Sequence, residues 1–284
     1  RGRSSTASRS ATASTTTPAE AVAATPNFSS PDAASDGMPE TDADLFGMTW
    51  EEAGDAIDDA DFAVLPAGSI EQHGPHLPVS TDTLRADHLT AELVDAADEF
   101  DLDLLRLPLL PYGQSEHHMR FPGTITLSTE TYVDVVTEIG ESVAEHGVDR
   151  LLVLNCHGGN REPLSIAADR LGRDTDLTVH FVHWTDFAEE DLEEAYGEGW
   201  GHAGDHETSF VELYRPDLVR TEKKEPQEAD EMPRTRSYEY FDEVTELGGL
   251  GDPTNSDPDA LEPIVAATTR EILGALVEDL DRGW

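Results

Sequence analysis

Leu151-Leu-Val-Leu-Asn-Cys-His-Gly-Gly-Asn160 sets the architecture. Four consecutive aliphatic residues that run straight into polar residues and paired glycines describe a short strand covered on both faces, as in parallel sheets. The pattern continues on either side. Downstream, Glu162 to Leu171 has helical spacing and Leu177 to Trp184 reads as the next strand. Upstream, a helix over Ser128 to His146 carries apolar residues at Val133, Val136, Ile139 and Val143. Before it come a strand-like Leu102 to Leu110, a helix over Asp82 to Glu99, the short strand Ala63 to Pro66, and an acidic helix over Thr49 to Asp59. The order β-α-β-α-β-α-β predicts an α/β fold, three-layer α/β/α with a mainly parallel sheet. A long final helix, Asp257 to Leu280, is expected to pack on the outside. No repeat is visible, and residues 41–284 suffice for one domain.

Composition narrows the function. The chain of 284 residues has 18 Lys+Arg against 60 Asp+Glu, a formal net charge of −42. Such a charge repels phosphate backbones and anionic lipid, so neither nucleic acid nor a membrane is an expected partner. No stretch approaches the roughly 18–20 apolar residues that a membrane helix needs. Lysine occurs only at Lys223 and Lys224, while acidic residues spread through every segment. That balance suits a halophilic protein working in molar salt, where ions screen self-repulsion. A single cysteine, Cys156, excludes an internal disulfide, and a reducing cytoplasm is the expected compartment. Residues 1–40 are Ser, Thr and Ala-rich, with Ala21-Val22-Ala23-Ala24 as the longest apolar run. This is too lean to offset chain entropy and too short for a signal-peptide core, so a disordered tail is expected, with the true start near Met38.

Four segments rich in ionisable residues interrupt the pattern, each read as following a strand, and all strand ends of a parallel sheet lie along one edge. In Gly68 to Asp82, Glu71 and His73 are two apart and point to one side of an extended loop, while Gly and Pro let the chain return Asp82 towards them. Carboxylate, imidazole and carboxylate make a divalent-metal set suited to zinc, manganese or iron. His157, after the aliphatic strand and before Gly158-Gly159, reads as a further ligand, and Cys156 as a small buried residue. In Trp200-Gly-His-Ala-Gly-Asp-His-Glu-Thr-Ser209, Glu207 can complete a metal site and His202 can transfer protons. His206, Asp205 and Glu198 compete for these roles, and spacing does not separate them. Tyr112 to Thr124 supplies another loop, with Glu116, His117 and His118, placed in the substrate pocket.

At Glu71-Gln-His73 with Asp82, Asn155-Cys-His157-Gly-Gly-Asn160, Phe121-Pro-Gly-Thr124 and His202-Ala-Gly-Asp-His-Glu207-Thr-Ser, the sequence resembles the creatininase (creatinine amidohydrolase) family. The motifs span most of residues 60–210. The resemblance implies an α/β/α homo-oligomer, a hexamer, that hydrolyses a non-peptide C–N bond of a small-molecule amide with two divalent metal ions (Zn, Mn or Fe). It implies that Glu71, Asp82 and His157 hold one ion, that His73, Asp82 and Glu207 hold the other, and that His202 is catalytic. Ser115, His118, Thr124, Gly159, Asn160 and Trp200 are the substrate contacts it implies. In creatininase proper a tyrosine and a glutamate stand where this chain has Gly158 and Gly159. The double-glycine form resembles relatives acting on other amides, among them the archaeal formylaminopyrimidine nucleotide deformylase and the peptide-trimming member of the mycofactocin pathway. A metal-binding protein without catalysis needs the same ligands and no proton relay.

Overall fold

A computed structural model describes residues 43–197, 201–227 and 240–284. The expected tail at residues 1–40, with Met38, and the site candidates Glu198 and Trp200 lie outside the described residues.

Four strands form one parallel sheet: β1 (Phe62–Ala67), β2 (Leu104–Arg106), β3 (Arg150–Asn155) and β4 (Thr178–His183), in the order β2-β1-β3-β4. The helices are α1 (Trp50–Asp59), α2 (Thr81–Ala96), α3 (Thr129–Glu145), α4 (Arg161–Asp174), α5 (Thr185–Tyr196), α6 (Asp205–Tyr214) and α7 (Pro258–Arg282). Side chains that alternate along each strand explain why its sequence is apolar throughout. Phe62, Val64, Leu152 and Leu154 pack in one core with α2, α5, α6 and α7, and Ala63, Leu65, Leu151 and Val153 pack in a second core with α3 and α4. Period-2 alternation with both faces covered gives a continuous hydrophobic run and the three-layer α/β/α architecture. Leu152, fully buried in the central strand, tests this layering. Leu152→Ala is expected to lower unfolding free energy by roughly 2–5 kcal/mol, measured by denaturant melts in molar salt.

Local signals set the helix starts. Thr49 and Glu52 form a reciprocal capping box at α1, Ser128 accepts from Thr131 N–H at α3, and Asp257 accepts from Asp259 and Ala260 N–H at α7.

Two expectations need correction. The strand read over Leu102 to Leu110 is regular only over Leu104–Arg106. Leu107 N–H still donates to Val64 O and Leu110 N–H to Pro66 O, but that step takes three residues on one chain against two on the other. The extra residue and Pro108, which has no N–H, break the ladder. The segment through Ser209, read as a loop leaving the last strand, follows an unexpected helix, α5, and is itself helical from Asp205. Only Ala188 and Leu192 are buried apolar residues within α5, too narrow a stripe to stand out from its acidic background.

The chain leaves β1 towards β2 on one side and returns to β3 on the other. A crevice therefore opens at the carboxyl ends of β1 and β3, the topological switch point where α/β sheets bind ligands.

Candidate metal centre

Three chain turns deliver the polar residues to this crevice. Gly68 ends β1 against the start of α2, and a Cβ there would lie 2.7 Å from Thr83 Cα. Only glycine permits that approach, which seats Asp82 in the first turn of α2 at the crevice. The intervening loop folds back on itself through Glu71 N–H to Val79 O, at 2.9 Å, with Gly74 at φ +64°. After β3, His157 precedes a short 3-10 turn, Gly158–Asn160, that leads into α4. Glu207 lies in the first turn of α6.

The five side chains that the sequence suggests for the ions meet here. Glu71, Asp82 and His157 bring ligand atoms within 4.8 Å of one another, and so do His73, Asp82 and Glu207. Asp82 belongs to both groups and divides its oxygens between them: Oδ1 lies 3.3 Å from His73 Nε2, and Oδ2 lies 3.1 Å from His157 Nδ1. His73 Nε2 is 3.4 Å from Glu207 Oε2, and His157 Nδ1 is 3.3 Å from Glu71 Oε1. All five are buried.

Electrostatics make the cluster unusual. Burial alone would raise the Glu71 carboxyl, but His157 and His118 overcome it and hold the group far below the ordinary carboxylate range. Asp82 is held low in the same way by His73 and His157. Glu207 is lowered to about 2 against its burial, by Arg85 and then His73. Burial opposes charge on His73 too, yet Asp82 and Glu207 raise it to about 9, and His157 is likewise raised by Glu71 and Asp82. Three carboxylates in an enclosed space call for cations. His73 Nε2 and Asp82 Oδ2 are buried without a hydrogen bond and face into the cluster. A mixed imidazole and carboxylate donor set of this kind fits zinc, manganese or iron.

The supporting contacts orient each donor. Ser115 Oγ donates to Glu71 Oε2 at 2.7 Å, and His157 Nε2 donates to Gln114 O at 2.9 Å, which turns Nδ1 towards the carboxylates. Ala203, in the left-handed region at φ 52°, donates its N–H to Glu207 Oε2 at 2.7 Å. His202 Nε2 donates to Gln72 O at 2.9 Å, so its Nδ1 is the acceptor, 3.6 Å from Glu71 Oε1. Burial, then His73, pushes the His202 imidazole below its ordinary value. The Gln72 amide donates to Gly248 O and His118 Nδ1 and takes Gly74 N–H on its oxygen.

A cavity of about 470 Å³ opens over this cluster. Of the substrate contacts expected from sequence, His118 and Gly159 line it. Ser115, Thr124 and Asn160 do not and act as braces instead: Ser115 props Glu71, Thr124 Oγ1 accepts from Gln72 N–H, and Asn160 bridges Gly68 O and Gln114 N–H. The Thr124 and Asn160 side chains are consumed by buried backbone groups that otherwise stay unpaired, and the Ser115 hydroxyl by a buried carboxylate. His206 and Cys156 also reach the wall. Burial lowers His206 to about 3 and raises the Cys156 thiol to about 12, which leaves both neutral. Asp205 turns away to cap His206 N–H.

Four further wall residues carry no motif that would have singled them out: Arg85, His183, Thr185 and Phe241. Phe241 packs on the rings of His118 and His202, with centroids at 4.5 and 5.1 Å. Asn155 Nδ2 donates to His183 Nδ1 at 2.8 Å, a contact visible only once β3 and β4 pair.

Gly159 gives a direct test of the packing. A Cβ at that position collides with Gln114 O and His157 Nε2. Gly159→Ala is expected to cost on the order of 1–3 kcal/mol and to displace His157, lowering cation content and turnover together.

The chain is similar to known proteins over most of its length. The Creatininase family model, described as creatinine amidohydrolase, matches residues 47–276. The chain is 36% identical over 201 residues to the mycofactocin precursor peptide peptidase of Mycolicibacterium smegmatis, covering 68% of this chain and 75% of that one. It is 29% identical over 196 residues to the creatinine amidohydrolase of Pseudomonas putida, covering 61% and 72%. A solved glutamate-to-glutamine mutant creatininase of the Zn-Zn type superposes with a TM-score of 0.76 at 24% identity, over 84% of this chain and 99% of that one, which shows the shared fold.

Proposed function

The chain belongs to the creatininase family and is a hydrolase of carbon–nitrogen bonds, and from that premise we propose that it is a two-metal amidohydrolase cleaving a non-peptide amide. The observation that carries this reading is Asp82, whose two oxygens face two separate ligand triads. Glu71, Asp82 and His157 would hold one divalent cation, and His73, Asp82 and Glu207 a second. Cations so held would polarise an amide carbonyl and acidify a water molecule.

The remaining work falls to side chains. Gln72 O anchors His202 Nε2–H, and the free Nδ1 accepts a proton from the attacking water and returns it to the departing nitrogen as the C–N bond breaks. A neutral imidazole suits this role, and the lowered His202 keeps it neutral. Phe241 closes the His118 and His202 side of the cavity against bulk water.

Gly158 favours a second reading for the substrate. It is exposed on the cavity wall, and a Cβ there would meet nothing within 4 Å, so the wall is open where creatininase proper carries a tyrosine. That room, with the 36% identity to a peptidase, supports an amide at the end of a peptide. The deformylase alternative gains no anchor for its phosphate from the arginines beside the loops. Arg85 pairs with Glu207, Arg120 with Asp242, and Arg161 with both oxygens of Asp186.

Metal-loaded protein in molar salt is to be assayed with creatinine, a formylaminopyrimidine nucleotide and a short peptide, with elemental analysis alongside. Expected are about two divalent ions per chain, hydrolysis of an amide other than creatinine, and full loss on chelation with recovery on adding zinc or manganese. Undiminished hydrolysis by protein stripped of metal overturns the reading.

A further inference from the structure

The cavity wall contains a cation that the proposed reaction leaves unused. Arg85 of α2 is 2% exposed. Its Nη1 contacts Glu207 Oε1 and lies 3.5 Å from Asp82 Oδ1, and its guanidinium carbon stands 4.9 Å from the centre of the Trp184 ring. Its Nε is buried without a partner. Burying a full charge with one N–H unmatched is expensive. A positive group touching carboxylates that are to receive cations also opposes the binding of those cations.

Holding Glu207 in place does not require that charge. The equivalent oxygen of Glu71 is held by a neutral hydroxyl, Ser115 Oγ, at 2.7 Å, and Glu207 Oε2 already takes Ala203 N–H at 2.7 Å. The two halves of the centre therefore differ in their backing charge: a hydroxyl backs one terminal carboxylate and a guanidinium backs the other. With two divalent cations bound, the three carboxylates leave one positive charge in excess, and Arg85 makes it two. A water-poor site with surplus positive charge binds the negative charge that develops on the substrate oxygen more strongly than it binds the neutral amide.

We propose that Arg85 sets the charge of the metal centre: by occupying Glu207 Oε1 it weakens cation binding at the His73, Asp82 and Glu207 half and keeps the loaded site electrophilic. The proposal rests on the two-metal reading above. Arg85 is a positioning residue here, since it acts through Glu207 and Asp82.

Two substitutions separate charge from tethering. Arg85→Gln keeps a neutral donor and removes the charge, and Arg85→Lys keeps the charge. Zinc affinity is to be measured by competition with a chromogenic chelator in molar salt, which screens buried pairs far less than surface ones. Arg85→Gln is expected to bind one zinc equivalent at least ~10-fold more tightly than wild type and to turn over more slowly per loaded site, with Arg85→Lys within ~3-fold of wild type. A role confined to packing or tethering would loosen zinc instead. Equal or weaker zinc binding by Arg85→Gln, with two equivalents on the wild type, overturns the proposal alone. A wild-type protein that binds no zinc, manganese or iron overturns the two-metal reading with it. If Arg85→Gln does not fold, Arg85→Lys decides, and a change in its zinc affinity beyond ~10-fold overturns the proposal.

Discussion

Asp82→Asn is expected to abolish stoichiometric binding of both cations and to reduce turnover by on the order of 10³-fold or more while the fold persists. Asp82 is shared by the two triads, so one substitution acts on both. Asparagine keeps the shape and one carbonyl oxygen but removes the charge and gives the second position a donor. An amide N–H directed at a cation repels it, and the oxygens towards His73 and His157 can no longer both accept. The fold should tolerate the change, because Asp82 sits in the first turn of α2 and provides none of the core. Elemental analysis and turnover of the same preparation check the result. Retention of two ions with unchanged turnover rules out Asp82 as the shared ligand, whereas loss of a single ion makes it a ligand of one site alone.

His202→Ala is expected to give the second largest loss, roughly 10²–10⁴-fold in turnover, with cation content unchanged. Nε2 of His202 is tied to Gln72 O, and the ring packs between His73, His118 and Phe241, so that Nδ1 is fixed over Glu71. A relay needs that fixed lone pair and contributes no ligand. His202 also belongs to a third group of ligand atoms with Glu71 and His73, and metal content therefore distinguishes the two roles. If alanine removes one ion along with activity, His202 is a ligand. If activity persists with both ions present, the proton travels by another route.

The fold was legible in the sequence where the physics is local or periodic. The aliphatic runs of β1 and β3 read as strands because helices cover both of their faces, and the N-caps of α1, α3 and α7 use short oxygen side chains at their starts. Glu71, His73, Asp82, His157 and Glu207 stood out because they sit in glycine-punctuated segments, and a parallel sheet sends its strand ends to one edge. β2 read too long because a bulge and a proline act through pairing with β1, which composition does not reveal.

Other assignments depended on residues far apart in the chain. Ser115 and Asn160 looked like substrate contacts, yet they face buried carbonyl, amide and carboxylate groups delivered by other loops. Arg85 stands three residues after Asp82, a spacing that says nothing of its burial. Its burial comes from Glu207 and Trp184, brought in by α6 and the end of β4. Phe241 joined the site through rings of residues distant in the sequence, such as His118 and His202. The sequence by itself determined the layered α/β architecture and the segments that carry the candidate donors, since strand periodicity and ligand chemistry reside in the residues themselves. The tertiary structure alone decided which polar groups brace the donors and where the opposing charge lies, because those are distances between separate segments.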